Sequence, residues 1–313
     1  MSLQTNSSQM TDTHFIICTP PYARNSAGIV ILHELGKTMS NLNYSVTFVF
    51  FDLSNSKWFL STEPSHYAPN MQDRISKSLS QMEVSLQHAL NEGIIIYPEI
   101  VSGNPLGARR IVRYFLNKDA AITGVITDTR PNDYILAYSC SFHDKPNLTL
   151  FKPVHDPCFN TKNTRPAIER TLSLTYFGKA KYTEPLPVIS GSVLISKSWP
   201  QTSHELASLL KSSKYLFTWD HVTSLMIDAL YCGTHVVLMK EHVSSNSRPL
   251  ESKKNDFPHH LGRWVNEDIF LEVDQSYESK RLKLLAAYNE ALTLWPANVL
   301  LFIEDALRYF RYR

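Results

Sequence analysis

One stretch of this chain, Lys214 to Met239, predicts a complete strand–turn–helix–turn–strand unit. Its first apolar run, Tyr215 to Thr218, is rich in strand-forming residues, and the apolar residues that begin at Leu225 predict a helix. Gly233 ends that helix, and the run from Val236 to Met239 predicts the next strand. Two strands joined by a crossover helix form the repeating unit of a parallel sheet, so the segment predicts an α/β fold.

Two carboxylates lie eight residues apart in this unit. Asp220 follows the first strand, and Asp228 lies within the helix. Thr223 and Ser224 stand where the helix should begin, and the unpaired N–H groups of a helix start suit a phosphate. A carboxylate one turn further along can accept hydrogen bonds from a ribose hydroxyl pair. The spacing therefore predicts a nucleotide-binding site.

These residues resemble the donor-binding segment of GT-B-fold glycosyltransferases. In many members of that family a Glu-x7-Glu pair occupies the places held here by Asp220 and Asp228, and the sequence at 233–237, GTHVV, is similar to the usual Gly-Thr-Pro-Val-Val. Each acid is one methylene shorter than the usual glutamate, and His235 replaces the common proline. The resemblance implies that Asp228 binds the donor ribose and that Asp220, a catalytic candidate, lies nearer the transferred sugar.

A second landmark is the predicted strand at 171–180, which ends in Gly178-Lys179. A glycine there lets the backbone approach an anion, and the lysine ammonium can reach its charge. The pair resembles the Gly-Lys at the first strand of the C-terminal domain in sugar transferases that build surface polysaccharides. The resemblance implies that Lys179 contacts the donor phosphates; the alternative is a solvated lysine beside a turn glycine.

The N-terminal half predicts a second βαβ unit. An apolar strand from His14 to Cys18 leads through a loop ending at Gly28 into an amphipathic helix, and Val46 to Phe51 forms the next strand. The loop lacks the second and third glycines of a dinucleotide fingerprint. It resembles the first loop of GT-B enzymes, which implies that Gly28 faces the cleft between two domains and helps to bind the donor.

The segment at 97–117 begins with the last two residues of a strand predicted from Gly93 to Pro98. Its residues from Ala108 to Leu116 predict a helix. It resembles a stretch of bacterial lipopolysaccharide and capsule glycosyltransferases. The resemblance implies an acceptor-side role, for which Asn104 and Arg109 are candidates.

An inverting transferase needs a base whose pKa lies near the working pH. Glu99, His33 and Glu34 are candidates because they lie in or beside the N-terminal loops and the first helix. Each also has a structural interpretation: Glu99 as a helix cap, His33 and Glu34 as helix surface. Sequence spacing leaves the choice open.

Composition limits the other functional classes. A chain of 313 residues with 43% hydrophobic residues can form two domains with buried cores. The net charge of +2 is too balanced to indicate a nucleic-acid partner. The four cysteines contain no Cys-x-x-Cys pair, and neither a metal-binding histidine spacing nor an Asp-x-Asp motif occurs, so we expect no metal and no cofactor besides the donor.

We expect a disordered leader at 1–12, an N-terminal Rossmann-like acceptor-side domain at 13–155 and a linker at 156–170. A nucleotide-sugar-binding domain at 171–295 and a closing helix at 296–313 complete the predicted architecture. Helical periodicity at 277–290 and 297–310 is broken at Trp295-Pro296. The resemblance to GT-B folds implies that the closing helix crosses back onto the N-terminal domain. Its basic and aromatic end indicates either peripheral contact with an anionic membrane or, the interpretation we favour, a packed helix with a charged edge.

The sequence thus predicts a GT-B type α/β protein with two Rossmann-like domains that face a central cleft. The expected activity is metal-independent transfer of a sugar from a nucleotide-sugar to a surface-glycan or lipid-linked acceptor, in the cytoplasm or on the inner face of the membrane. A nucleotide-sugar epimerase on the same fold and a non-catalytic nucleotide-sugar-binding relative are the alternatives. The donor nucleotide, the acceptor and the stereochemistry stay open.

Overall fold

A computed structural model describes residues 13–52, 55, 57–69, 71, 78–140, 142–178, 188–220, 223–239 and 277–312. The leader predicted at 1–12 lies outside these residues. The chain divides into two compact units, Met1–Lys152 with Thr293–Arg313, and Pro153–Leu292. The residues predicted as a linker, 156–170, are counted with the second unit.

The first unit is built on a sheet of seven strands in the described part of the chain. Its elements are β1 (His14–Thr19), α1 (Ala27–Asn41), β2 (Ser45–Asp52), β3 (Lys57–Phe59), α2 (Leu79–Glu92), β4 (Ile94–Pro98), β5 (Ile111–Phe115), β6 (Tyr134–Ala137) and β7 (Leu148–Thr149). The strand order is β3-β2-β1-β4-β5-β6-β7; β3 pairs antiparallel with β2, and the other pairs are parallel. In the central strands, residues 15–18 of β1 and all five residues of β4 are buried and apolar, as a sheet covered on both faces requires.

The prediction of a helix from Ala108 to Leu116 is wrong, because residues 111–115 form strand β5. The run Ile-Val-Arg-Tyr-Phe is rich in β-branched and aromatic residues, which favour a pleated strand, and all five residues are buried. Parallel pairing with β4 on one side and β6 on the other supplies its backbone hydrogen bonds.

The predicted break at Trp295-Pro296 is also wrong, because one helix, α5, runs from Tyr277 to Arg311 through the proline. Proline removes one intrahelical hydrogen bond, and packing after it offsets this loss. The indole Nε1 of Trp295 donates to Thr38 Oγ1 at 2.8 Å, and the hydroxyl of Tyr134 donates to Asp305 at 2.7 Å. The helix therefore ends against the first unit, as predicted. No helix among the described residues is long and apolar enough to span a bilayer.

The second unit contains a smaller sheet, with four parallel strands in the described residues. Its elements are β8 (Leu172–Tyr176), β9 (Val193–Ile195), α3 (Ser203–Ser212), β10 (Ser213–Thr218), α4 (Leu225–Tyr231) and β11 (His235–Leu238). The order is β11-β10-β8-β9. A capping box of Thr202 and Glu205 starts α3. The two largely parallel sheets confirm the predicted α/β class with two Rossmann-like units.

Candidate functional site

The strand order of the second sheet has a switch point between β8 and β10, and we call the space beyond the carboxyl ends of these two strands the crevice. After β8 the chain moves to β9 on one side, and after β10 it moves to β11 on the other side. Adjacent parallel strands whose connections leave in opposite directions form a topological switch point, where ligands of open α/β sheets bind beyond the carboxyl ends of the strands. Gly178 follows β8 at this edge, and Asp220 follows β10.

Gly178 and Asp220 are in close contact at the crevice. Gly178 has a φ of +63°, and a Cβ atom placed on it would overlap Oδ2 of Asp220. Asp220 is only 6% exposed, and its backbone N–H donates to Thr218 Oγ1 at 3.1 Å. Glycine is required here for two independent reasons, the left-handed backbone and the adjacent carboxyl group. The structure thus brings together two residues that the sequence analysis placed in the donor site.

Tyr176 and Thr223 complete the described wall of the crevice. Burial raises the pKa of the Tyr176 phenol, the charge of Asp220 raises it further, and a hydrogen bond with Thr223 lowers it. Thr223 Oγ1 also accepts the N–H of Leu225 at 3.3 Å, which fixes the start of α4. Ser224 is exposed and makes no side-chain cap bond to that helix. Thr223 and Ser224 therefore both lie at the carboxyl edge of the sheet. Thr223 is held by hydrogen bonds, and Ser224 faces solvent.

Asp228 lies on α4 and is partly buried. Burial raises the pKa of its carboxyl from 3.8 to about 8, so the protonated form predominates at neutral pH. Burial is the main cause that raises the pKa values of the phenols of Tyr231 and Tyr288, and the charge of Asp228 raises them further when it ionises. No hydrogen bond or ion pair to its carboxyl occurs within the described residues. Such a carboxyl can accept hydrogen bonds from a ribose diol once it ionises.

Lys179, the cation predicted to contact the donor phosphates, lies outside the described residues.

The first sheet has its own switch point, between β1 and β4. The chain leaves β1 towards β2 and leaves β4 towards β5, in opposite directions. Glu99 directly follows β4, is buried, and accepts the backbone N–H of Leu116 through Oε2 at 3.0 Å. A Cβ atom on Gly28 would lie 3.7 Å from the Cβ of Leu116. Gly28 and Glu99 therefore both lie next to Leu116 at the carboxyl edge of this sheet.

His33 lies in the core of the first unit, at 0% exposure, on α1. Its ring stacks on Phe48 with the centroids 5.1 Å apart, and Tyr22 meets it edge-on at 5.3 Å. Burial lowers its pKa to about 4, so it is neutral at physiological pH. An imidazole enclosed by aromatic rings and without access to solvent is positioned for packing.

The two candidates for acceptor contact have different positions. Asn104 is bonded within its own loop: its Oδ1 accepts the N–H of Ala108 at 3.0 Å, and its Nδ2 donates to the Ala108 carbonyl at 2.9 Å. Arg109 is exposed two residues before β5 begins, and its N–H donates to Leu90 in the last turn of α2. The amino ends of parallel strands lie at the opposite edge from Glu99. The structure therefore separates Arg109 from the switch point.

Arg113 on β5 was not anticipated from the sequence. It is fully buried, and its Nε donates to Asp133 Oδ2 at 2.9 Å. Its guanidinium also donates to the carbonyls of Val101 and Gly103, and it lies over the ring of Tyr97. These bonds hold the loop that follows Glu99. An arginine inside a β-branched and aromatic run is the signal that could have indicated a buried ion pair.

No protein-family model and no curated protein sequence matches the chain. Several solved structures resemble it. MurG of Acinetobacter baumannii is 8% identical with a TM-score of 0.40, covering 94% of this chain and 99% of that one. The glycosyltransferase SnogD from Streptomyces nogalater is 12% identical with a TM-score of 0.40, covering 96% and 99%. T4 phage BGT, in complex with UDP and Mn²⁺, is 10% identical with a TM-score of 0.37, covering 95% and 97%.

The described residues contain no group of three or more His, Cys, Asp or Glu side chains placed to bind a metal ion.

Proposed function

We propose that this protein is a glycosyltransferase that moves a sugar from a nucleotide-sugar to a surface-glycan or lipid-linked acceptor without a metal ion. The observation that carries the proposal is the switch-point crevice of the second sheet. There Gly178 and Asp220, which follow β8 and β10, are in contact. The crevice falls in the sequence segment that resembles the donor-binding region of GT-B enzymes, so topology and sequence point to the same site.

In the proposed reaction an acceptor hydroxyl attacks the anomeric carbon, the bond to the diphosphate breaks, and the nucleoside diphosphate leaves. Thr223, Ser224 and Lys179 would donate to the diphosphate, and Gly178 allows the backbone to approach it. Asp228 would accept the ribose hydroxyls, and Asp220 would lie beside the transferred sugar. Donors fixed at the leaving group lower the barrier because they need no reorganisation as charge develops.

On the acceptor side we assign the base to Glu99, which would take the hydroxyl proton if the reaction inverts configuration. Its position beyond β4 at the switch point of the first sheet supports this assignment. The hydrogen bond from Leu116 N–H to Oε2 orients the carboxyl group. A base held in one orientation is the form that proton transfer requires.

The first test is ligand binding by the purified protein. Thermal-shift measurements with UDP, GDP, dTDP, ADP and CMP should show a raised melting temperature for one nucleotide, since a ligand that binds the folded state stabilises it. Asp228→Asn and Thr223→Val should each weaken that shift. Glu290→Gln, an exposed change on α5 in the same unit, is the matched control and should leave it unchanged.

The second test is turnover of the matching nucleotide-sugar in the presence of EDTA. Donor consumption that depends on an added acceptor supports a metal-independent transferase. Conversion of the donor sugar without acceptor would indicate an epimerase, and binding without consumption would indicate a non-catalytic binding protein. If no nucleotide shifts the melting temperature, the donor site itself is refuted.

A further inference from the structure

An open pocket lies in the second unit, away from the crevice. It has a volume of about 480 Å³ and is lined by one face of α3 and by the loop that precedes β8. His204, Ser208 and Lys211 are spaced by four and three residues along α3 and therefore share that face. Lys211 is two residues from the start of β10, so the pocket lies at the edge where the strands begin. Gly178 and Asp220 follow the opposite ends of the strands.

The lining of the pocket is basic. Lys162 and Arg165 contribute from the loop and Lys211 from α3, and no carboxylate lines it. The acids nearest in sequence are engaged elsewhere: Glu205 accepts the N–H of Thr202 at 2.9 Å, and Asp156 accepts the N–H of Cys158 at 3.1 Å. None of the three cations forms an ion pair with a carboxylate within the described residues. Three like charges facing one cavity raise the local concentration of anions.

Asn160 fixes the ammonium of Lys211 and the backbone of Lys162. Its Oδ1 accepts Lys211 Nζ at 3.1 Å and the backbone N–H of Lys162 at 2.8 Å. Its Nδ2 donates to the carbonyls of Pro157 and Cys158, at 2.7 and 3.2 Å. The amide therefore ties the loop to the helix and holds the ammonium of Lys211 at the pocket. Because the ammonium of Lys211 is already positioned, ordering it costs less entropy when a ligand binds.

We propose that this pocket binds a small phosphorylated ligand, at a site separate from the nucleotide-sugar crevice. The guanidinium of Arg165 offers a planar pair of donors that matches phosphate oxygens, and the two ammonium groups supply point charges. The hydroxyl of Ser208 adds a neutral donor or acceptor. The volume falls within the range of small-molecule sites, about 300–1,000 Å³, and exceeds what a single phosphate group fills. A diphosphate or a phosphorylated metabolite fits both the charge and the size.

The test is isothermal titration of the full-length protein with pyrophosphate and with inorganic phosphate, at constant ionic strength set by chloride. We expect saturable binding, tighter for pyrophosphate than for phosphate. Lys211→Gln and Arg165→Gln should each weaken it at least about 10-fold, because each removes a charge-assisted bond. Lys283→Gln, an exposed change of the same charge on α5, should stay within about 2-fold of the parent protein.

Pyrophosphate can also enter the crevice, so Thr223→Val is measured alongside. Binding weakened by Thr223→Val and unaffected by the two pocket variants would place the anion in the crevice and overturn the proposal. The absence of saturable binding up to tens of millimolar would overturn it as well. Arg165 is exposed, and its backbone carbonyl, which accepts Arg170 Nε at 2.7 Å, survives the substitution. The Arg165→Gln variant is therefore expected to fold even if Lys211→Gln does not.

Discussion

The buried carboxyl of Asp228 should make the stability of the second unit depend on pH in a way that one substitution removes. Its folded-state pKa of about 8 lies above the ordinary value of 3.8, so the folded state binds the proton more tightly than the unfolded state. Stability from this group is greatest below pH 4 and falls as the pH rises towards 8. Asp228→Asn keeps the shape of the side chain and removes the ionisation.

The magnitude follows from the pKa difference. Each pH unit between the two pKa values changes the free energy of unfolding by about 1.36 kcal/mol, so the interval from pH 5 to 8 gives a ceiling of about 4 kcal/mol. Asp228 keeps part of its surface accessible, and solvent screening reduces that ceiling. As the pH rises from 5 to 8, we expect the free energy of unfolding of Asp228→Asn to increase relative to that of the parent protein by between about 1.4 and 4 kcal/mol.

The assay is urea unfolding followed by tryptophan fluorescence and circular dichroism at half-unit steps from pH 5 to 8.5. The informative quantity is the difference between variant and parent at each pH, since other titrating groups cancel in it. Glu290→Gln, exposed on α5, is the control and should give a flat difference. A difference for Asp228→Asn that is equally flat, within about 0.5 kcal/mol, would refute the burial argument.

Three further substitutions test the contact of Gly178 with Asp220, the buried ion pair of Arg113 and the packing of Trp295. Gly178→Ala should lower the free energy of unfolding by several kcal/mol, as measured by chemical denaturation. The control is Gly191→Ala, which should lower it by about 1 kcal/mol because Gly191 has a φ of +76° and nothing lies within 4 Å of the added methyl. Equal losses for the two variants would show that the carboxyl of Asp220 adds nothing to the effect. Arg113→Met should lower the free energy of unfolding by about 3–5 kcal/mol because it leaves the buried Asp133 without its cation. Adding Asp133→Asn should restore part of this loss, which a double-mutant cycle would measure. Trp295→Phe should lower the free energy of unfolding by about 1–3 kcal/mol, because it removes the hydrogen bond to Thr38 and leaves a smaller ring. An unchanged denaturation midpoint would contradict the packing of Trp295 against α1.

The fold class was predictable from sequence because its signals are local. Hydrophobic runs, Gly233 and the helix starts are all read within a few residues, and the segment from Lys214 to Met239 has the predicted order of elements. Strand β5 was misassigned because Arg113 is a polar residue in a short apolar run, and its partner Asp133 lies 20 residues further along the chain. The run around Arg113 can suggest a buried ion pair, but no local pattern identifies Asp133 as the partner.

The candidate site was partly predictable for a related reason. Gly178 and Asp220 were identified by their places after two strands, and parallel strands bring such residues to one edge of a sheet. Their contact depends on the pairing of β8 with β10, which the sequence does not encode locally. Arg109 lies at the opposite edge because residues 111–115 form β5 in place of the predicted helix. The pKa of Asp228 could not be foreseen, since it arises from side chains that surround the carboxyl only after folding.

The contact between Gly178 and Asp220 also bears on how this chain can vary. With the α-carbon at 178 against the carboxyl at 220, a glutamate at 220 would need room for one more methylene where the backbone already lies. The shorter acid and the bare glycine are therefore a matched pair, and neither position is free to change alone. In sequences homologous to this chain, we expect positions 178 and 220 to covary. A glutamate at 220 should occur only where the turn after β8 takes another path.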